Sequence, residues 1–135
     1  MENYTIENDI NVLCVEAPSF PAGVKDAYDQ LMAKIASNPN RRIFGLSWGS
    51  PDGSIIYKAA AEELFPGEAD KSGCESFTIR KGEYISEFIE DFHKDLQSIG
   101  TTFKKLLSQP GIDPQGYCLE IYPNNKDVRC LVPLA

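Results

Sequence analysis

Glu120 is the residue of this chain best placed to do chemistry. It stands in the middle of Gly116-Tyr117-Cys118-Leu119-Glu120-Ile121-Tyr122-Pro123, which reads as one β-strand, and the turn Asn124-Asn125-Lys126-Asp127 follows at once. A carboxylate in mid-strand is costly unless it faces water, a partner or a ligand. Alternation puts Tyr117, Leu119 and Ile121 on one face, expected to pack under helices, and Cys118, Glu120 and Tyr122 on the other. A carboxylate amid aromatic rings attracts a flat, apolar cation through charge and ring-face attraction. Burial among rings raises its pKa, and a bound cation lowers it again. The competing arrangement is an ion pair with Lys58 or Arg129 on a neighbouring strand.

Other reactive side chains form no comparable constellation. The single histidine, His93, lies between Phe92 and Lys94 with no acid or nucleophile at dyad spacing, and reads as a solvated loop residue. Cys14, Cys74, Cys118 and Cys130 contain no C-x-x-C pair, so zinc-ligand spacing is absent and buried, reduced thiols are expected. A bridge between Cys118 and Cys130 on adjacent strands is conceivable but disfavoured in a reducing compartment. Neither a metal nor a cofactor is expected.

The elements that must position Glu120 follow from periodicity. Ile10 to Val15 reads as a strand, and Val24, Ala27, Tyr28, Leu31, Met32 and Ile35 form one helical stripe that runs to Ala36 and is stopped by Ser37-Asn38-Pro39-Asn40. Arg42 to Trp48 and Ser54 to Ala61 form a hairpin around Ser50-Pro51-Asp52-Gly53. After a turn-rich loop from Phe65 to Gly73 come two strands, Cys74 to Arg80 and Glu83 to Glu90. A helix capped by Asp95 then carries Leu96, Ile99, Phe103, Leu106 and Leu107, and the Glu120 strand pairs with Val128 to Val132.

The two halves share one order, β-α-β-β, with an extra strand in front of the second. Tyr28, Leu31 and Met32 match Phe103, Leu106 and Leu107 at an offset of 75; Phe44, Leu46 and Trp48 match Tyr117, Leu119 and Ile121 at 73; Ile56 and Ala60 match Val128 and Val132 at 72. The expected fold is α+β, a pseudo-symmetric antiparallel sheet with two helices on one face and a ligand cleft on the other. One domain is expected over residues 1–135, with repeats at about 10–63 and 74–133. In the first repeat Gly45, Ser47 and Gly49 take the cleft-side positions and leave room beside Glu120. Tyr57, Tyr84, Phe88 and Tyr122, with Ser47 and Cys118, complete the expected lining. Trp48 ends its strand at the rim, although strict alternation places it with the core.

Composition sets the boundaries. At 42% apolar and 24% charged, with 135 residues, the chain can bury a core without metal or disulfide. A net charge of −7 argues against nucleic acid as a partner. No apolar run has the length of a membrane span and no leader is visible, so a cytoplasmic location is expected.

From about Asn11 to Pro133 the chain resembles the GyrI-like (gyrase-inhibitor-like) effector-binding domains, which also form the ligand-sensing half of some AraC-type and MerR-type multidrug-responsive transcription activators. The carriers are Phe44-Gly45-Leu46, Tyr57-Lys58-Ala59-Ala60, Lys81-Gly82-Glu83-Tyr84, Leu119-Glu120-Ile121-Tyr122 and Val132-Pro133. Two features depart from the pattern: Phe92-His93-Lys94-Asp95 stands where many members have a glycine, and Leu106-Leu107-Ser108 lacks a Trp-Leu pair. The resemblance implies that Glu120 is the acid at a pocket floor for cationic ligands and that Tyr57 and Tyr84 line it. It implies a stand-alone binder of flat, cationic aromatic compounds, with a protein partner of gyrase-inhibitor type as a narrower version. Some relatives open strained cyclopropane rings with water, and there Glu120 would be general base with Tyr57, or Tyr122 in reserve, orienting the water.

Overall fold

Short runs of β-branched and aromatic residues form the strands, and the two amphipathic stretches form the helices that pack on them. In the computed structural model, which describes residues 1–35, 38 and 40–135, β1 spans Glu2–Ile6, β2 Ile10–Glu16, α1 Val24–Lys34, β3 Ile43–Gly49 and β4 Ile55–Glu62. The second half comprises α2 at Glu68–Ser72, β5 at Glu75–Ile79, β6 at Gly82–Ile89, α3 at Ser98–Leu107, β7 at Cys118–Tyr122 and β8 at Val128–Pro133. The fold is α+β, as expected. The expected end of the first helix at Ala36 and its stop at Ser37 and Pro39 lie outside the described residues. No helix among the described residues is long and apolar enough to cross a membrane.

All pairings are antiparallel, in the order β1-β6-β8-β7-β3-β4-β2-β5. A pseudo-twofold axis runs between β3 and β7, where Leu46 pairs with its own counterpart Leu119. The repeat therefore begins one strand earlier than periodicity suggests: β1 is the counterpart of β5. Each crosses over to extend the other half, β1 on β6 and β5 on β2. Register also corrects the match of the fourth strands. Leu46 pairs with Lys58 and Leu119 with Leu131, so the offset stays at 73 and Tyr57 corresponds to Cys130. An offset of 72 would exchange the two faces of the strand.

Connectivity forces the sheet to curl. Only Arg80 and Lys81 join β5 to β6, yet five strands separate these two in the sheet. A flat sheet would hold them about 29 Å apart, and the link reaches about 11 Å. The sheet bends into a half-barrel, and the Phe77 ring of β5 comes to 5.4 Å from the Tyr117 ring beside β7.

This curl gives the helix-free face a core of its own. Phe44, Leu46, Leu119, Leu131, Ile79 and Tyr84 are buried together there, with no helical residue among them. The helices cover the opposite face. Ala27 and Leu31 of α1 pack on Leu13, Ala59 and Ala61, and Phe103 and Leu106 of α3 pack on Val128, Cys130 and Val132. The face assignment expected for β7 is thus reversed: Leu119 faces the helix-free core, whereas Cys118 and Tyr122 pack with the α3 cluster. Met32, Leu96 and Leu107 are exposed instead of completing the helical stripes. Asp95 accepts a hydrogen bond from the Gln97 backbone N–H at 3.0 Å, three residues before the helix begins at Ser98.

Candidate functional site

The helix-side face of β3 and β7 lies between the two helices, since α1 packs on β4 and β2 and α3 on β8 and β6. Its residues are fixed by register: Gly45 opposite Glu120, and Ser47 opposite Cys118 on one side and Tyr57 on the other. Glu120 is only 5% exposed. Tyr57 Oη lies in hydrogen-bond contact with Glu120 Oε1 at 2.8 Å, and Tyr122 Oη makes a short hydrogen bond to the same oxygen. Oε2 accepts no hydrogen bond from the described residues. Tyr28 of α1 closes the cluster: its hydroxyl donates to the Phe44 carbonyl at 2.7 Å and lies 2.9 Å from Tyr57 Oη. The Tyr28 ring meets both Tyr57 and Tyr122 edge-on, each at 6.3 Å.

Gly45 makes this possible. A Cβ at that position would lie 2.5 Å from Glu120 Oε1 and closer still to Tyr57 Oη. Gly45→Ala is therefore expected to separate Tyr57 from Glu120 and to lower stability by about 1–3 kcal/mol, the usual cost of overpacking. Gly49→Ala, on the same strand with open space around it, serves as the neutral control. Thermal unfolding of the two variants checks the contrast.

The electrostatics follow from burial. Desolvation raises the Glu120 carboxyl above the usual carboxylate range, and the Tyr122 and Tyr57 hydrogen bonds pull it back in part. Burial, and then the neighbouring Glu120 charge, push the Tyr28, Tyr57 and Tyr122 hydroxyls well above an ordinary phenol. Burial also pushes the Cys118 thiol up to about 11, and all four cysteines are free.

The competing ion pairs do not form. Lys58 bonds Glu75 at 2.7 Å and Arg129 bonds Glu2 at 2.6 Å, both away from Glu120. The chain thus brings together Glu120, Tyr57, Tyr122, Ser47 and Cys118 on one face. It does not bring Trp48, Tyr84 or Phe88 to them. Trp48 stacks on Phe77 at 6.2 Å in the helix-free core, as strict alternation has it. Tyr84 is buried there too, its hydroxyl 2.6 Å from that of Tyr117, and Phe88 packs under the Arg129 guanidinium. A strand's odd and even residues cannot share a face, and β6 presents Ile85 and Ile89 to the helices.

Three aromatic neighbours went unrecognised in the sequence. Tyr28 reads as part of an apolar stripe, and its hydroxyl was the available signal, because a buried phenol needs a partner. Phe20, 47% exposed, stacks on Tyr57 at 5.8 Å from the β2–α1 loop. Phe92 meets Tyr122 at 5.7 Å from the β6–α3 loop. The two loops occupy equivalent places in the repeats, so one aromatic flanks the cluster from each half. His93 bonds the Asn125 carbonyl at the surface. Two surface hollows of about 270 and 250 Å³ lie elsewhere, around Arg42 and Glu63 and around Asn11 and Phe77, and neither touches Glu120. No group of metal-ligating side chains is present among the described residues.

No protein-family model matches the sequence, and no curated protein matches it. Solved structures match its fold. An integron cassette protein from the mobile metagenome of Vibrio cholerae shares 12% identity at a TM-score of 0.69, over 99% of this chain and 95% of that one. SAV2435, solved bound to tetraphenylphosphonium, shares 9% identity at a TM-score of 0.66, over 99% and 93%. EcmrR, in a complex with DNA, shares 10% identity at a TM-score of 0.62, over 98% of this chain and 56% of that protein. At these identities the likeness is one of fold, and it extends over nearly the whole of this chain.

Proposed function

We propose that this protein binds aromatic, cationic small molecules in a groove between α1 and α3, with Glu120 as the charge partner. The observation that carries this reading is a nine-tenths-buried carboxylate, held on one oxygen by two tyrosine hydroxyls and paired with no lysine or arginine among the described residues. A buried acid of this kind is costly unless something compensates it, and a cation meeting Oε2 does so. Tyr57, Tyr122, Tyr28 and Phe20 offer ring faces and edges for the apolar body of such a ligand. The tetraphenylphosphonium bound by SAV2435, on the same fold, is a ligand of this class.

Two hydroxyls converging on Oε1 suit the holding of charge, and the role that follows is an effector or drug binder acting alone or through a protein partner. The test is calorimetric titration with tetraphenylphosphonium and with neutral triphenylphosphine oxide, a molecule of similar shape. The cation is expected to bind at least about tenfold more tightly. Equal affinity for the two, or none for either, would remove the reading. Trp48 fluorescence is no substitute, because that ring lies on the opposite face of the sheet.

A further inference from the structure

The hydrogen bonds around Glu120 include one contact more than the tyrosines have protons to fill. Tyr28 Oη meets the Phe44 carbonyl at 2.7 Å and Tyr57 Oη at 2.9 Å, while Tyr57 Oη at 2.8 Å and Tyr122 Oη both meet Glu120 Oε1. Each of these four contacts needs a proton between its oxygens. Three hydroxyls supply three, and a backbone carbonyl supplies none. We infer that Glu120 itself carries the fourth proton in the ligand-free protein, and that a cation arriving at Oε2 expels it, so the groove exchanges one proton for each cation bound. This rests on the cation-binding reading above.

Only one orientation of the chain fills every contact. Tyr28 donates to Phe44, Tyr57 donates to Tyr28, the Glu120 carboxyl donates from Oε1 to Tyr57, and Tyr122 donates to Glu120 Oε1. With Glu120 ionised, Tyr57 must turn its proton to Oε1. Tyr28 then has one proton for two acceptors, and one pair of oxygens is left in contact without a hydrogen between them. The exchange step is balanced: the Glu120 O–H bond breaks, its electron pair stays on the carboxylate, the proton passes to the buffer, and the Tyr57 hydroxyl rotates to donate to Oε1.

The surroundings agree with the count. The groups facing Glu120 are Tyr28 from α1, Tyr57 from β4, Tyr122 and Cys118 from β7 itself, and Cys130 opposite it on β8. The β3 strand presents Gly45 and Ser47, and α3 presents Phe103 and Leu106. None of these is a cation, and burial lifts the thiols and phenols beyond the neutral range, so Glu120 is the group left to titrate.

Two measurements on the full chain test this. The first follows the 13C signal of the Glu120 carboxyl in the ligand-free protein, in wild type and in Tyr28→Phe. The carboxyl is expected to be protonated at about pH 6, where an ordinary glutamate is ionised. Tyr28→Phe removes two contacts and one hydroxyl proton, so the remaining two tyrosines fill the remaining two contacts. Its titration is therefore expected to move to lower pH, an effect that lost packing alone would not produce. The second is titration with tetraphenylphosphonium in phosphate and in bis-Tris, both at about pH 6. The heats are expected to differ by the ionisation heat of roughly one buffer proton, and affinity to fall about tenfold per pH unit below the Glu120 transition.

An ionised Glu120 in the ligand-free protein at about pH 6, or equal heats in the two buffers, overturns the exchange while leaving cation binding standing. A protonated Glu120 with no binding of the phosphonium at any pH overturns both the exchange and the proposed function. A protonated Glu120 with one proton released supports both.

Discussion

Glu120→Gln is expected to lower the affinity for tetraphenylphosphonium by about 2–4 kcal/mol, roughly 30- to 1,000-fold. The amide keeps the size of the side chain, and its carbonyl oxygen can still accept from Tyr57 and Tyr122. The sheet and helices are therefore retained, which circular dichroism checks. Only the negative charge is lost, and no other carboxylate among the described residues stands beside it to take its place. Affinity for neutral triphenylphosphine oxide is expected to stay the same, which separates loss of charge from loss of shape. An unchanged affinity for the cation would show that Glu120 is not its partner.

The largest stability effect is expected from a different buried charge. Arg41, 7% exposed, holds Glu68, 4% exposed, through two parallel hydrogen bonds of 2.9 Å each. The same guanidinium reaches the Glu62 carbonyl at 2.9 Å, and Glu68 Oε1 also accepts from the Leu64 backbone N–H at 2.8 Å. The pair therefore ties the α2 segment to the end of β4 and the entry of β3. Arg41→Met leaves Glu68 buried without its counter-charge and is expected to cost about 3–5 kcal/mol in urea unfolding at neutral pH. The sign of its pH dependence follows from the wild-type pair. The Arg41 hydrogen bond lowers the Glu68 pKa, so the contribution of the pair is present above the unfolded carboxylate's range and is lost as pH falls through the folded value. The deficit of Arg41→Met is thus expected to shrink on acidification. The double change Arg41→Met with Glu68→Leu, which removes both charges, is expected to recover most of the stability. A single variant as stable as wild type at neutral pH would contradict this account.

Much of the scaffold was legible in the chain. The hairpin around Pro51-Asp52-Gly53 forms as its turn residues require, with the Gly53 N–H bonded to the Ser50 carbonyl at 2.9 Å. The stripe at Ala27 and Leu31 and that at Phe103 and Leu106 are buried as their spacing predicts. β1 escaped notice because Glu2-Asn3-Tyr4-Thr5-Ile6 is short and mostly polar, and it is a strand only because β6 offers it an edge. α2 escaped because five residues bracketed by Gly67 and Gly73 look like a loop, and its hold is the Arg41–Glu68 pair, which periodicity cannot register.

For the candidate site, local sequence determined which residues share a face: Cys118 with Glu120 and Tyr122, and Gly45 with Ser47. It also determined that one carboxylate sits among apolar neighbours, because a strand's pleat has a period of two regardless of what surrounds it. Which face the helices cover was decided by tertiary structure. Links of two and three residues, β5 to β6 and β1 to β2, curl the sheet until its helix-free side buries an apolar core without help. The aliphatic face of β7 then goes into that core, and Glu120 turns to the helix-covered side, where Tyr57 and behind it Tyr28 meet it. Trp48, Tyr84 and Phe88 part from Glu120 for the same reason, since side-chain alternation is local and closure of the sheet belongs to the whole chain.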